Sequence, residues 1–321
     1  MRKLIAAILN SILQPLKLCC LRRKEYDRLQ SERRIFLSLA KGNKATNNYS
    51  SLVNCIIFSK NRACQLQALL RSFEDQVRDS VHTKILYEAS SELHNEAYDE
   101  VQSDFTASNI EWIPQRDFRK DLLRILQGIE AKWLFFLVDD MVFIRPVDFS
   151  VFENVSPKST VASLRLAPHI RFSYTMNTSM QVPQFETYSH DNNLLQWPWE
   201  HGESDWGYPL SVDGHLFAPE EIRSIAEKSN FRAPNSFESA LQLAKPVFLK
   251  RYGLCYPESR VVNLPLNKVQ QENSNLCGDI SEKSLLNKWK QGCQIDVKSL
   301  YGTVNESVHQ ELRVQFENRD H

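Results

Sequence analysis

Two neighbouring carboxylates, Asp139 and Asp140, close the apolar run Trp133-Leu134-Phe135-Phe136-Leu137-Val138. An uninterrupted run of this kind, bounded by charge, predicts a strand buried on both faces of a parallel sheet. Ligand sites of open α/β sheets lie just beyond the carboxyl ends of such strands. Carboxylates side by side repel, so a pair like this is protonated, hydrogen-bonded or bridged by a cation. A hard divalent cation there would suit a phosphate-bearing ligand. The same two residues also fit a strand-to-loop turn, where Asp is favoured for its bonds to nearby backbone. The pair alone does not choose between chemistry and a turn; its surroundings favour chemistry.

Those surroundings alternate strand and helix. Leu52 to Phe58 predicts a first strand, which Ser59-Lys60-Asn61-Arg62 turns into a helix with Leu66, Leu69, Leu70 and Phe73 on its apolar face. Strands at 83–87 and 109–113 and helices at 92–104 and 118–129 follow before the acidic strand. This alternation predicts βαβ units and a mostly parallel sheet. Further on, strands are expected at 161–166, 211–217 and 261–264, with helices at 219–228 and from Asn235. Between them, 172–208 is aromatic, contains Pro and has no clear period. No GxGxxG follows the first strand, and neither GxxxxGK[ST] nor GxSxG occurs. A dinucleotide fingerprint, a P-loop and a serine nucleophile elbow are therefore excluded.

Of the 321 residues, 39 are Lys or Arg and 39 are Asp or Glu, so no global field draws the chain to nucleic acid. Seven Cys without CxxC spacing read as reduced thiols of a cytoplasmic protein. The first 34 residues carry nine basic and three acidic side chains. Within them Ile5, Ile8, Leu9, Ile12, Leu13 and Leu16 share one helical face. The stretch is too short and polar to span a bilayer. It could lie on the anionic inner face of the plasma membrane or pack on the main body, and both readings stay open. The expected organisation is an N-terminal basic helix and linker (1–50), a main domain (51–280) and a C-terminal tail packed on it (281–321).

The order of these features resembles nucleotide-sugar glycosyltransferases of the GT-A fold, family 2 in style, over roughly residues 52–275. The resemblance rests on Ile56-Ile57-Phe58-Ser59-Lys60-Asn61-Arg62, Phe136-Leu137-Val138-Asp139-Asp140 and the stretch from Gly214 to Glu238. It implies a Rossmann-like, mostly parallel sheet flanked by helices, with an irregular region on the acceptor side. Two departures stand out. The metal motif is Val138-Asp139-Asp140-Met141 rather than Asp-x-Asp, and the second acidic site is Glu238-Ser239 rather than Glu-Asp.

What the resemblance implies is transfer of a sugar from a UDP- or GDP-linked donor to a glycan or lipid-linked acceptor, as in surface polysaccharide or lipopolysaccharide synthesis. The departing diphosphate calls for Mg²⁺ or Mn²⁺. Asp140 would be its direct ligand, Asp139 would meet the metal or the ribose, and His309 would close the shell unless it is a surface residue of the tail. Proton removal from the acceptor hydroxyl falls to Glu238, with Asp213 in reserve, which gives an inverting displacement. Ser59 and Arg62 are expected at the nucleotide or diphosphate. Arg116 and Lys120 would be cationic neighbours, unless they belong to a solvated helix face. Trp197, Trp199 and Trp206 would stack on acceptor sugar or, alternatively, anchor their own loop. The alternatives are a nucleotidyltransferase, and an inactive sugar-binding scaffold.

Overall fold

The computed structural model describes residues 23, 25–40, 49–191, 193–267 and 280–319. The apolar face read at Ile5 to Leu16 therefore lies outside the described residues. Helix α1 covers 25–40. Strand and helix then alternate: β1 (Ser51–Lys60), α2 (Ala63–Gln76), β2 (His82–Glu88), α3 (Glu92–Asp104), β3 (Ile110–Pro114), α4 (Phe118–Gln127) and β4 (Ala131–Val138). After β4 come β5 (Met141–Phe143) and β6 (Thr160–Ser163), then the small ladder of β7 (Phe172–Ser173) with β8 (Thr178–Ser179). Next are β9 (Glu186–Thr187), β10 (Leu195–Pro198), β11 (His215–Phe217), α5 (Pro219–Glu227), α6 (Pro234–Leu241) and α7 (Lys245–Phe248). The remainder comprises β12 (Tyr252–Cys255), β13 (Val261–Asn263), α8 (Glu282–Lys290), β14 (Cys293–Ile295) and β15 (Phe316–Asn318).

Nine strands form one sheet in the order β3-β2-β1-β4-β11-β6-β12-β10-β9. The first four are mutually parallel, β11 runs antiparallel to both neighbours, and β12 is parallel to β6. The α/β architecture expected from the sequence is thus the one found. The chain lays β2 and β3 on one side of β1, then returns to place β4 on the other. A crevice opens where the order reverses, at the carboxyl ends of β1 and β4.

The apolar runs of β1 and β4 have a simple physical origin. Side chains alternate faces along a strand. Val53, Cys55, Ile57, Trp133, Phe135 and Leu137 enter one core, whereas Ile56, Phe58, Leu134 and Phe136 enter the other. With both faces covered, the central positions of both strands are apolar except Asn54, whose Oδ1 accepts from Ser51 Oγ at 2.6 Å near the start of β1. The register sets Phe58 opposite Val138, so Ser59 and Asp139 emerge side by side.

Three further elements close on this point. β13 pairs antiparallel with β5, Asn263 opposite Met141, which carries Asn263 to Asp140. Asn263 in turn bridges to His309, its amide donating to the Val308 carbonyl at 3.0 Å, which fixes the C-terminal segment there. Phe237 of α6 is fully buried against Phe58 and Phe136, and it holds the neighbouring Glu238 above the sheet end. Gly214, just before β11, has φ +73°, and a Cβ on it would meet Val261 Cγ2 at 3.2 Å. An L side chain there would be both strained and crowded.

Candidate active site

The two carboxylates that end β4 share one cation. Nη1 of Arg62 lies 2.9 Å from Asp139 Oδ1 and 3.0 Å from Asp140 Oδ2. The rest of the guanidinium is tied down as well. Nε donates to Asn267 Oδ1 at 2.8 Å and Nη2 to the Asn267 carbonyl at 2.6 Å. Burial works against the charge of Arg62, but Asp139 and Asp140 outweigh it and hold the side chain protonated. Asp139 also accepts from Ser59 Oγ at 2.9 Å and from the Lys60 amide at 3.1 Å, so both of its oxygens are engaged. Ser59 pairs further with the Tyr98 hydroxyl at 2.6 Å.

Asp140 is less fully compensated. Asn263 Nδ2 donates to its Oδ1 at 2.9 Å, and Arg62 reaches Oδ2. Burial, aided by the charges of Asp139 and Asp213, pushes its pKa up to about 6, against the pull of Arg62 and His309. This carboxyl has a use for further positive charge.

Asp213, at the entry to β11, sits in a second charged cluster. Its Oδ2 is 3.4 Å from His309 Nε2 and 3.5 Å from Arg165 Nη1. Burial opposes its charge, but the His309 hydrogen bond and Arg165 prevail and hold it below the usual carboxylate range. Arg165 is itself buried and also donates to His215 Nε2 at 3.3 Å. His215 Nδ1 bonds the Pro209 carbonyl at 3.0 Å. Burial, with the charge of Arg165 beside it, takes the His215 pKa down to about 3, so its imidazole is neutral.

Glu238 accepts three bonds: from Tyr208 Oη at 2.9 Å, the Val212 amide at 2.9 Å and Ser211 Oγ at 3.3 Å. Burial, with the charge of Asp213, raises its pKa above the ordinary glutamate value. Two candidate bases therefore sit side by side in opposite states. Asp213 is held as a fixed anion, whereas Glu238 is biased towards taking up a proton.

One cavity of about 1210 Å³ joins these groups, with Arg62, Asp139, Asp140, Asp213, Glu238 and His309 all in its wall. A chain segment of 248 residues, Arg62 to His309, and five separate elements are needed to assemble them. Ser59 lines it too, although its hydroxyl is spent on Asp139 and Tyr98.

Several expectations are corrected here. Trp197, Trp199 and Trp206 are fully buried and pack edge to face, with centroids 4.8 and 5.1 Å apart around Trp197. Trp197 lies over Gly253, where a Cβ would come within 2.4 Å of its ring. Indoles with no exposed face cannot stack on a sugar; they anchor the loop, and Asp205 and Tyr208 from that loop reach the cavity instead. Arg116 and Lys120 are exposed and do not line the cavity, and Lys120 pairs with Asp117 at 3.1 Å. Among the described residues, no cluster of three or more His, Cys, Asp or Glu side chains is set to hold a metal. The trio Asp139, Asp140 and His309 is thus not a preformed metal shell, because Arg62 already occupies the side of Asp139.

A smaller donor set still fits a hard cation, which commonly keeps waters and takes one or two carboxylates plus phosphate oxygens. Asp140 has charge to offer, and the buried Nδ1 of His309 has no hydrogen-bond partner among the described residues. Ser211, Arg165, Asn263 and Asn267 belong to the site but were not anticipated. Of these only Arg165 left a trace in the sequence, as a charge inside an apolar strand run that demands a buried partner.

No protein-family model matches the chain. It is similar to the bifunctional glycosyltransferase pgtA of Dictyostelium discoideum, 24% identical over 257 residues, covering 70% of this chain and 33% of the relative. The chain thus spans about a third of the length of that curated relative. Among solved structures it is similar to S. aureus TarS (TM-score 0.35, 12% identity, 55% of this chain and 32% of the other). It is also similar to the WbbM bifunctional glycosyltransferase (TM-score 0.35, 14% identity, 70% of this chain and 40% of the other). The resemblance to glycosyltransferases read from the motifs is found again in the similarity to pgtA.

Proposed function

We propose that this chain is a glycosyltransferase that moves a sugar from a nucleotide-sugar donor, UDP- or GDP-linked, to a hydroxyl of a glycan or lipid-linked acceptor. The observation that carries the reading is the pairing across one cavity of a cation-seeking carboxyl, Asp140, with a proton-seeking one, Glu238. Glycosyl transfer needs both functions at once. The similarity to pgtA supports the same reaction class.

In this reading the acceptor oxygen attacks the anomeric carbon and forms the new glycosidic bond. The bond from that carbon to the diphosphate breaks, and the diphosphate leaves with the electron pair. Glu238 takes the acceptor proton, and its raised pKa brings it nearer the working pH that a general base requires. Direct displacement inverts the anomeric centre. Tyr208, Ser211 and the Val212 amide hold the carboxylate in place. Asp213, kept ionised, orients His309 and Arg165. Mg²⁺ or Mn²⁺, held by Asp140 with His309 beside it, would neutralise charge developing on the diphosphate. Arg62 keeps Asp139 and Asp140 compact when the donor is absent. Asp139, whose oxygens are engaged, acts as the anchor of Arg62.

A thermal-shift screen of UDP- and GDP-sugars with and without Mn²⁺ tests this, since a ligand that binds only the folded state raises the melting temperature. At least one donor should raise it, the shift should need Mn²⁺, and Asp140→Ala should remove it. If no nucleotide sugar shifts the protein, or if it releases pyrophosphate from a nucleoside triphosphate and a sugar phosphate, the glycosyltransferase reading fails.

A further inference from the structure

Helix α1 is held to the body along one side only. Ile35 is fully buried, Phe36 and Leu39 pack on the core beneath the sheet, and the Ser38 and Ser224 hydroxyls bond each other across to α5. The opposite side is apolar yet exposed: Tyr26 61%, Leu29 56% and Leu37 53%. At the helical pitch, Tyr26, Leu29, Arg33 and Leu37 fall on a single stripe about 80° wide. Arg23 and Arg34 border one edge and Glu25 the other, whereas Asp27 and Glu32 project farther to the flanks. Glu32 is further neutralised by Arg28 at 2.8 Å.

Single apolar side chains in water are common on any protein surface. Here three of the eight large hydrophobic side chains exposed among the described residues share one stripe of one helix, so the exposure is concentrated rather than scattered. No acid falls within the stripe; Arg33 lies inside it and Arg23 and Arg34 line one edge, with Glu25 beyond the other. Arginine stems can lie along acyl chains while their guanidinium groups meet phosphate. A second copy of the chain docked on this stripe would set Arg23, Arg33 and Arg34 against their own kind. An anionic bilayer surface complements both the apolar centre and the basic edge.

We propose that the outward stripe of α1 is a docking surface for anionic lipid, so that the protein works while seated on a membrane. The proposal does not depend on which reaction the cavity performs. It is tested by sedimenting the full chain with vesicles of phosphatidylcholine, with and without phosphatidylglycerol. Wild type should sediment with the phosphatidylglycerol vesicles and be released by salt. Leu29→Glu with Leu37→Glu should abolish sedimentation, and Arg33→Gln should weaken it roughly fivefold, with melting temperatures unchanged. Because Arg33 is exposed, its variant remains readable even if the double variant fails to fold. The proposal is overturned if wild type ignores anionic vesicles or if the variants bind as wild type does. It is also overturned if the stripe instead holds a dimer that Leu29→Glu dissociates.

Discussion

Glu238 and Asp213 show how position, rather than residue type, sets the work a carboxylate can do. Both face the same cavity, and both are screened from water by the elements around them. Asp213 has His309 and Arg165 at its side and stays charged; for Glu238, burial and the repulsion of Asp213 outweigh its neutral donors and the charge of Arg165. Glu238→Gln should therefore lower kcat by about 10² to 10⁴ while leaving the donor-induced thermal shift intact. Undiminished turnover in that variant would remove Glu238 from the reaction. The acidic limb of the kcat/KM profile should lie above the ordinary glutamate range, because the base must be ionised and its pKa is raised. Tyr208→Phe withdraws a hydrogen bond that favours the ionised form, so that limb should move to still higher pH. An unmoved limb would mean that Tyr208 does not act on the base.

At the scale of elements, the site is a joint between the β1–α2 turn, the end of β4 and the segment after β13. Arg62 is its pin, since it holds Asp139 and Asp140 on one side and Asn267 on the other. Removing one partner of a buried ionic group leaves the others uncompensated, at a cost of about 3–5 kcal/mol. Arg62→Ala should lose about that much in urea unfolding at neutral pH, and the deficit should shrink in acid as Asp140 protonates. A loss well below 1 kcal/mol would show that the carboxylates do not need this cation. Gly214→Ala should cost about 1–2 kcal/mol, because a left-handed φ of +73° meets a Cβ crowded by Val261. These elements were legible to different degrees. β1 and β4 stood out because covering both faces of a strand demands consecutive apolar residues, Cys55 to Phe58 in one and Trp133 to Val138 in the other. β10 and β12 did not, because Gly253 and Pro198 interrupt their pattern to make room for Trp197.

Across the whole molecule, the buried charges tie stability to pH. His215 has its pKa lowered from 6.5 to about 3, so between those values the unfolded chain takes up a proton that the folded chain refuses. Stability should therefore fall as pH drops below 6.5, by up to about 1.4 kcal/mol per unit from this residue. His215→Gln, which keeps an acceptor for Arg165, should flatten that limb; an unchanged slope would place the acid sensitivity elsewhere. The same whole-molecule scale explains what the sequence hid. The acidic pair after β4, Glu238 and His309 could be picked out by type and order along the chain. The partners that define their states, such as Asn263 and Asn267, come from remote elements and carry no local signature. The Trp cluster misled for a physical reason: a stretch without periodicity gives no sign of which side chains face inward. No helix among the described residues is long and apolar enough to cross a membrane.

The most direct test is an anomalous-scattering map from crystals grown with Mn²⁺ and a donor that has passed the thermal-shift screen. A manganese peak should stand against an Asp140 oxygen and the donor diphosphate, with Glu238 across the cavity facing the sugar. A donor bound with its diphosphate elsewhere, or a manganese peak remote from Asp140, would contradict the proposed reaction at its root.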